Sequence, residues 1–378
     1  MSVVESVTPK SIQMVDVLGQ YKRYQDEIDS AILEVVRSGA YINGPRVKEF
    51  EADMAAYLGV KHAIGCANGT DALHIALMAI GLKPGDEVIT TPFTFVATTE
   101  TIAINGGVPV YVDIEPDSFN IDVTKIEEKI TSRTKAIIPV HLFGQPCDMD
   151  SINAIAKKHN LFVIEDSAQA VGATWNGQKV CGLGDIGSIS FYPSKNLGAF
   201  GDAGMVTTNN DEFAEKLRSI ANHGSTKTYY HDKLGVNSRL DSIQAAILKV
   251  KLQYLDEWNA TRAAAAAAYT SEFAAHADRI VTPLVRPEAS SIWHQYSIIL
   301  KQGGRDEVSA KLKAEKIPHN IYYPVPLHMQ PAYDFGQKQG SMPNAEYAAE
   351  HILALPMHSE LTTEDARYIA AKVIEALG

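Results

Sequence analysis

Cysteine is scarce in this 378-residue chain: Cys66, Cys147 and Cys181 are widely separated, and none belongs to a CxxC pair. Neither a disulfide framework nor a thiolate zinc site is indicated. Positive charge is also in short supply. The formal net charge is −11, so a nucleic acid is not an expected partner, because nucleic-acid binders carry a basic face. A small anionic ligand stays open, since a local pocket can be positive on an acidic protein. No apolar run approaches the ~18 residues that a membrane helix needs. The opening MSVVESVTPKSIQM lacks the apolar region of a secretory signal. A cytoplasmic protein without membrane association is expected. No GxGxxG follows an early strand, and the glycines of GAFGDAG, at 198, 201 and 204, have the wrong spacing. That counts against a dinucleotide oxidoreductase.

What is present is an ordinary globular composition, 46% apolar and 21% charged, over a length that suits one large domain and a smaller one. HAIGCA from His62, EVITTP from Glu87, VPVYVDI from Val108, KAIIPVHLFG from Lys135 and LFVIED from Leu161 read as buried strands bounded by Gly, Pro or Asp. Between them, residues 70–81 place Leu73, Leu77 and Ile80 on one helical face, and residues 150–160 do the same with Ile152, Ile155 and Ala156. This alternation predicts an α/β fold with a mostly parallel sheet flanked by helices. IGSISFYPS and AGMVTTNN are joined by KNLGAFGD, too short for a helix, and predict an antiparallel pair on the same sheet. Residues 241–276 read as one long helical stretch whose alanine run, 263–268, reflects propensity, not function. A strand (HQYSIIL, from His294) and helices over 306–316 and 363–377 then build a smaller α+β domain. The expected division is 1–255, with an N-terminal arm over 1–30, and 256–378.

Four local features carry chemistry. In CANGTDAL a strand ends, Gly69 permits a tight turn and a helix begins near Thr70, so free backbone N–H groups form either an anion site or a plain structural junction. A Walker loop is excluded because no GK[ST] follows. In VIEDSAQAVG, Asp166 ends an apolar strand, where ligands of open α/β sheets gather. It is open to reading as a helix cap, a metal ligand or the partner of a buried cation. Strand alternation sends Glu165 to the opposite face, against a paired-carboxylate site. In SISFYPSKNLGAFGDAG, Lys195 sits among aromatic residues and glycines, where desolvation would lower its pKa and suit it to Schiff-base chemistry. In GVNSRLDSIQAA, Asn237 and Arg239 precede a helix with Asp241 at its cap.

NGTDAL, TPFTFVAT, EDSAQAVGA, FYPSKNLGAFGDAG, GVNSRLDSIQAA and YYPVPLH together resemble the DegT–DnrJ–StrS family of nucleotide-sugar aminotransferases, within the aspartate-aminotransferase superfamily, from about Asp16 to about His358. The resemblance implies pyridoxal 5'-phosphate linked to Lys195, the catalytic residue. Asp166 would pair with the pyridine nitrogen and Gln169 would touch the ring hydroxyl. The phosphate would lie in the Gly69 turn, on the N–H groups of Thr70 and Asp71, with the Ser190 hydroxyl added. Phe95 would stack on the ring, its alternative being core packing. Asn237 would reach the phosphate of a partner subunit, which implies a homodimer with shared sites. The implied reaction moves an amino group from glutamate to a keto group of a nucleotide-linked hexose, for an amino sugar of surface polysaccharide or a glycosylated metabolite. Carbon 3 is favoured and carbon 4 is the alternative; a non-catalytic regulator is the alternative from another class. Lysine in place of the histidine of dehydratase members argues for transamination. Relatives acting on 3-keto uronic acids carry an Arg–His pair. Arg239 matches the arginine, but Tyr322 stands where the histidine would be, which favours a neutral sugar. Tyr192, Arg239, Tyr322, Tyr323 and His328 are the substrate-side candidates.

Overall fold

The computed structural model describes residues 12–227, 229–301 and 304–378; the first eleven residues, and with them most of the opening segment and part of the expected arm, lie outside the described residues. Three N-terminal helices, α1 (Val17–Arg23), α2 (Gln25–Ser38) and α3 (Pro45–Leu58), lead into the main sheet. Its seven strands are β1 (His62–Cys66), β2 (Glu87–Thr90), β3 (Val108–Tyr111), β4 (Thr134–Ile137), β5 (Phe162–Asp166), β8 (Ile186–Ser190) and β9 (Gly204–Thr208). Two-residue strands β6 (Thr174–Trp175) and β7 (Gln178–Lys179) form a side ribbon with β13 (Ala289–Ser290), and β10 (Ser225–Lys227) pairs with β11 (Tyr230–His231). The helices of this part are α4 (Gly69–Ala79), α5 (Ala97–Ile104), α6 (Met149–His159), α7 (Asp211–Ala221) and α8 (Ser242–Leu252).

The sheet order is β1-β9-β8-β5-β4-β2-β3. Strands β3, β2, β4, β5 and β8 are parallel, and β8–β9 is the expected antiparallel pair. One strand departs from the βαβ pattern: β1 lies at the edge and pairs antiparallel with β9. Because β9 runs against the parallel set, β1 meets it antiparallel although it is followed by a helix, as β2 and β4 are. The helices start where polar side chains satisfy their first N–H groups. Asn68 accepts from Asp71 N and caps α4, while Asp148 accepts from Ser151 N and caps α6. Asp241 stands at the N-cap of α8, but its side chain makes no capping bond. Leu73, Leu77 and Ile80 are buried as their spacing predicts; of the α6 face, Ile152 and Ala156 are buried and Ile155 is only partly so.

The stretch predicted as one long helix is two: α8 ends at Leu252 and α9 (Leu255–Phe273) begins after Gln253 and Tyr254. The break has a packing cause. Tyr254 and Trp258 both turn onto Tyr24, at ring-centroid distances of 3.9 and 5.6 Å. The first turns of α9 bury Leu255 and Trp258 in the core that backs β8 and β9. Further along, Ala265, Ala266, Tyr269 and Phe273 enter a second core. That core lies over the three-stranded sheet of β12 (Ile280–Val281), β14 (Tyr296–Leu300) and β15 (Ile352–Leu355), with α10 (Arg305–Ala314), α11 (Pro343–His351) and α12 (Thr363–Leu377) nearby. The alanine run is therefore used for close approach between α9 and α12. One helix serves both cores and ties the small sheet to the large one.

Candidate active site

Strands β2, β4, β5 and β8 end on the same side, and there the chain encloses a cavity of about 750 Å³. Its walls bring together Gly69 and Thr70 of the α4 turn, Phe95 after β2, Asp166 at the end of β5, Gln169, Ser190 at the end of β8, Lys195, Tyr192, Tyr322 and Tyr323. Ten of the sequence-derived candidates thus converge from segments far apart in the chain.

The α4 turn has open backbone donors that suit an anion. The N–H groups of Gly69 and Thr70 have no protein acceptor among the described residues, as expected at a helix start. A Cβ at Gly69 would meet Ser190 Cβ at 2.6 Å, so only glycine lets this backbone lie against the Ser190 side chain. Gly204 is needed for the same reason, since its Cβ would meet the carbonyl group of Asn68 at 2.3 Å. One expectation is corrected. The N–H of Asp71 already donates to Asn68 Oδ1 at 2.8 Å, and Asp71 is not in the cavity wall. The open donors are those of Gly69 and Thr70, because a side-chain cap satisfies the third N–H.

Asp166 is buried, 5% exposed. Its Oδ2 accepts from the Thr98 hydroxyl at 2.7 Å and its Oδ1 from Ala168 N–H at 3.2 Å. It caps no helix, and the described residues hold no group of three His, Cys, Asp or Glu able to bind a metal. Of the three readings of this carboxylate, partner to a buried cation is the one the surroundings fit. Burial raises its pKa, while Thr98, Ala168 and the Lys195 charge pull the other way. Glu165 does face away: it accepts from the N–H groups of Cys181, Leu183 and Gly184 and pairs with His141. Lys195 is the complement of Asp166. Burial lowers its pKa to about 8, with Asp166 opposing the shift, so a usable fraction of neutral amine exists near neutral pH. Its loop is held from beneath by α8. Gln244 Oε1 accepts from Phe200 N–H at 2.8 Å, and the buried Lys251 amine, lowered to about 7 by burial, donates to the Gly198 carbonyl.

Gln169 is fixed at both ends. Its Oε1 accepts from Phe143 N–H at 2.7 Å and its Nε2 donates to Tyr323 Oη at 3.2 Å. Phe95 is 56% exposed at the cavity wall, which removes core packing as its role. Besides Asp71, three candidates lie outside the wall. His328 is buried, with Nε2 3.0 Å from Glu346 Oε1, so the histidine is tied to α11 and not presented to the cavity. Asn237 and Arg239 precede α8 and are not among the lining residues of their own chain's cavity.

Thr98, His294, Asn68 and Asp202 line the cavity without having been singled out from sequence. Thr98 had a usable signal: Thr94 and Thr98 are one helical turn apart in an apolar setting, and their hydroxyls lie 3.1 Å from each other. His294 had none, since a lone histidine before a strand has no local signature.

The donor set fits the cofactor implied by the resemblance. Two open N–H groups and a hydroxyl suit a phosphate, a buried carboxylate suits a protonated pyridine, an exposed aromatic face suits a flat ring, and a desolvated lysine suits an aldehyde.

Comparison with known proteins agrees. The chain is 51% identical, over 97% of its length and 98% of the other, to a "pleiotropic regulatory protein" of Geobacillus stearothermophilus. It is 46% identical, over 95% of its length and 99% of the other, to UDP-2-acetamido-2-deoxy-3-oxo-D-glucuronate aminotransferase of Pseudomonas aeruginosa. Its structure superposes with a TM-score of 0.94 on S. venezuelae DesV, crystallised in complex with a ketimine intermediate, at 40% identity and covering 97% of this chain and 98% of that one. The model of one family matches residues 22–374, and this chain belongs to that family, the DegT/DnrJ/EryC1/StrS aminotransferases.

Proposed function

We propose that the enzyme transfers the amino group of glutamate to the carbon 3 keto group of a neutral, nucleotide-linked hexose, as a cytoplasmic homodimer with shared active sites. The observation that carries this reading is the single cavity that joins Lys195 and Asp166 to a wall of tyrosines. Pyridoxal 5'-phosphate is the cofactor of this aminotransferase. When bound, it supplies the electron sink for the negative charge that develops at the amine-bearing carbon. The protein's own residues do the rest. Asp166 would keep a proton on the ring nitrogen. The Gly69 and Thr70 N–H groups and Ser190 would hold the phosphate, and Phe95 would offer its face to the ring. Lys195 Nζ takes a proton from the α-carbon of glutamate in the first half-reaction and delivers one to the sugar carbon in the second.

Carbon 3 is supported by the name of the Pseudomonas relative, which places its keto group there. A neutral sugar is supported by the wall itself. Among the described residues Lys195 is the lone lysine or arginine that this chain contributes to its own wall, beside Asp166 and Asp202. The Tyr322 hydroxyl accepts from Asn320 Nδ2 at 2.7 Å, and the resemblance implies a histidine at this position in relatives that act on uronic acids. A reducing compartment is supported by three buried, unpaired cysteines. The deciding experiment offers glutamate with 3-keto and 4-keto nucleotide sugars, neutral and acidic, and identifies products by mass. Amination of neutral 3-keto substrates is expected; preference for a 4-keto or a uronic substrate would overturn the assignment.

The homodimer is supported by Asn237, exposed on its own chain and absent from its own cavity wall. Asn237→Ala is expected to lose cofactor on dialysis about tenfold faster than the parent, the effect of one charge-assisted hydrogen bond of ~1.4 kcal/mol, with melting unchanged. Equal retention would count against the cross-subunit contact. The regulatory name of the Geobacillus relative keeps a non-catalytic reading in view for that protein; in this chain a visible band that bleaches with glutamate separates the two readings.

A further inference from the structure

Lys251 is a buried lysine to which the reaction gives no part. It sits in the last turn of α8 and is 2% exposed. Its Nζ donates to the Gly198 carbonyl, which has no other partner among the described residues. Gly198 closes the turn that carries Lys195. A Cβ on Gly198 would meet the Pro193 carbonyl oxygen at 2.4 Å and the Tyr192 carbonyl oxygen at 3.0 Å, so the two ends of the turn lie against each other. The Tyr192 carbonyl also accepts from the Lys195 N–H, at 2.8 Å, and Ala199 N–H donates to the Phe191 carbonyl at 2.8 Å across the neck. Between these ends, Asn196 Nδ2 donates to Asn259 Oδ1 at 2.8 Å and to the Ile292 carbonyl at 2.9 Å. Lys251 thus completes the grip on a turn that has Lys195 in its middle.

The amine has apolar company. Nζ lies 5.3 Å from the ring centre of Phe200, on the same loop, and 5.8 Å from that of Trp258 on α9. No carboxylate pairs with it among the described residues, and burial alone lowers its pKa to about 7. Beside it is a second cavity of about 420 Å³, with Leu18, Ile32 and Phe200 in its walls. The other titratable groups of that cavity are Tyr21 of α1 and Asp29 of α2, and the Tyr21 hydroxyl donates to Asp29 Oδ1 at 2.9 Å. The acids of the remaining neighbours have partners of their own. Glu49 and Asp53 of α3 pair with Lys249 at 3.5 and 2.7 Å, and on α9 Asp256 accepts from the Tyr57 hydroxyl while Glu257 pairs with Arg23. The loop's own ionisable group, Lys195, faces the first cavity. The held amine binds its proton less tightly than an amine in water does, so proton uptake favours the released side chain over the held one. The neutral amine, which still has an N–H to donate, is the holding form; the ammonium brings a charge that no carboxylate here answers.

We propose that Lys251 is a positioning residue for Lys195: its amine holds the Gly198 carbonyl, keeps the turn closed and so presents Lys195 to the first cavity, and its protonation loosens that hold. The brace is at full strength above about 7 and weakens as the pH falls through that value. The proposal rests on Lys195 being the cofactor-linking amine.

Amide hydrogen exchange of the full-length, cofactor-free protein tests it. At about pH 8, Lys251→Met is expected to lower the protection factors of the Lys195 and Ala199 amides about tenfold, the effect of one lost hydrogen bond, with the β9 amides unchanged. In the parent, the same two protection factors should fall about tenfold between roughly pH 8 and pH 6, and in Lys251→Met they should stay level. Pyridoxal 5'-phosphate added to the variant should link to Lys195 about tenfold more slowly than in the parent, read by borohydride capture over time. Parental protection, a parental pH response or a parental linking rate in Lys251→Met overturns the proposal. If that variant fails to fold, carbon NMR of ¹³C-lysine parent decides. A Lys251 midpoint near 7 that coincides with the change in loop protection supports the proposal, and a midpoint near the ordinary lysine value of about 10.4 overturns it. Borohydride reduction of the parent holoenzyme separates the underlying reading. Cofactor mass fixed on another residue defeats the role of Lys195, whereas cofactor fixed on Lys195 leaves the role of Lys251 to be decided by the exchange and linking measurements.

Discussion

Lys195→Ala will abolish transamination, with kcat reduced by at least ~10⁴-fold. A positioned general acid/base is worth up to roughly 10⁴, and the same substitution also removes the nucleophile that links the cofactor. The fold should survive. Lys195 contributes a backbone bond, its N–H to the Tyr192 carbonyl at 2.8 Å, which alanine retains, and the loop is held from α8 by Gln244 and Lys251. Loss of a desolvated amine removes a burial cost as well. Three measurements check this together: the glutamate half-reaction followed in the visible, covalent capture of cofactor by borohydride, and thermal melting. Activity within tenfold of the parent, or cofactor still captured by the variant, would refute the role given to Lys195.

Asp166→Asn will lower kcat by roughly 10³-fold while leaving covalent capture at Lys195 intact. At ~3 Å and an effective dielectric of about 20, a carboxylate and a pyridinium attract by roughly 5 kcal/mol before desolvation. Each 1.36 kcal/mol lost from the barrier's stabilisation is about tenfold in rate, and the desolvation of Asp166 offsets part of the total. The amide has nearly the same shape, but it has one acceptor where the carboxylate has two. Its oxygen can still accept from Ala168 N–H while its nitrogen donates to the Thr98 hydroxyl, so both partners are kept with the direction of the Thr98 bond reversed. A second consequence has a definite sign. Asp166 raises the Lys195 pKa against burial, so without that charge the Lys195 amine in cofactor-free protein should titrate below about 8. A variant with parental kcat would show that the ring nitrogen needs no carboxylate here. An unshifted Lys195 titration would show that the two groups are not electrostatically coupled.

The legible part of the site was the part built by short range rules. The strand ends at Asp166 and Ser190, the glycine turn before α4 and the loop around Lys195 each follow from a few neighbouring residues. Their order along the chain, together with six strings in register, pointed to one cofactor. The errors were of one kind. Asp71 N–H was expected to be open, but whether a helix's third N–H is free depends on the rotamer of Asn68. His328 was placed with the substrate, but its partner Glu346 lies on another helix. The continuous helix over 241–276 breaks because Tyr254 and Trp258 answer to Tyr24, far away in sequence.

Local sequence was enough for the alternation of strands and helices, the antiparallel β8–β9 pair and the place of Lys195 in the loop between them, because periodicity, turn chemistry and helix starts act over a handful of residues. Everything that depends on which distant groups meet was settled only by tertiary packing. Thr98 on the Asp166 carboxylate, Lys251 on the Gly198 carbonyl and Asn196 on Asn259 join segments from different parts of the chain. A buried polar group must find some partner, since leaving it unpaired costs about 1–3 kcal/mol, but composition does not say which one. That choice is made when the helices and sheets close on one another, and here it decides how Lys195 is held.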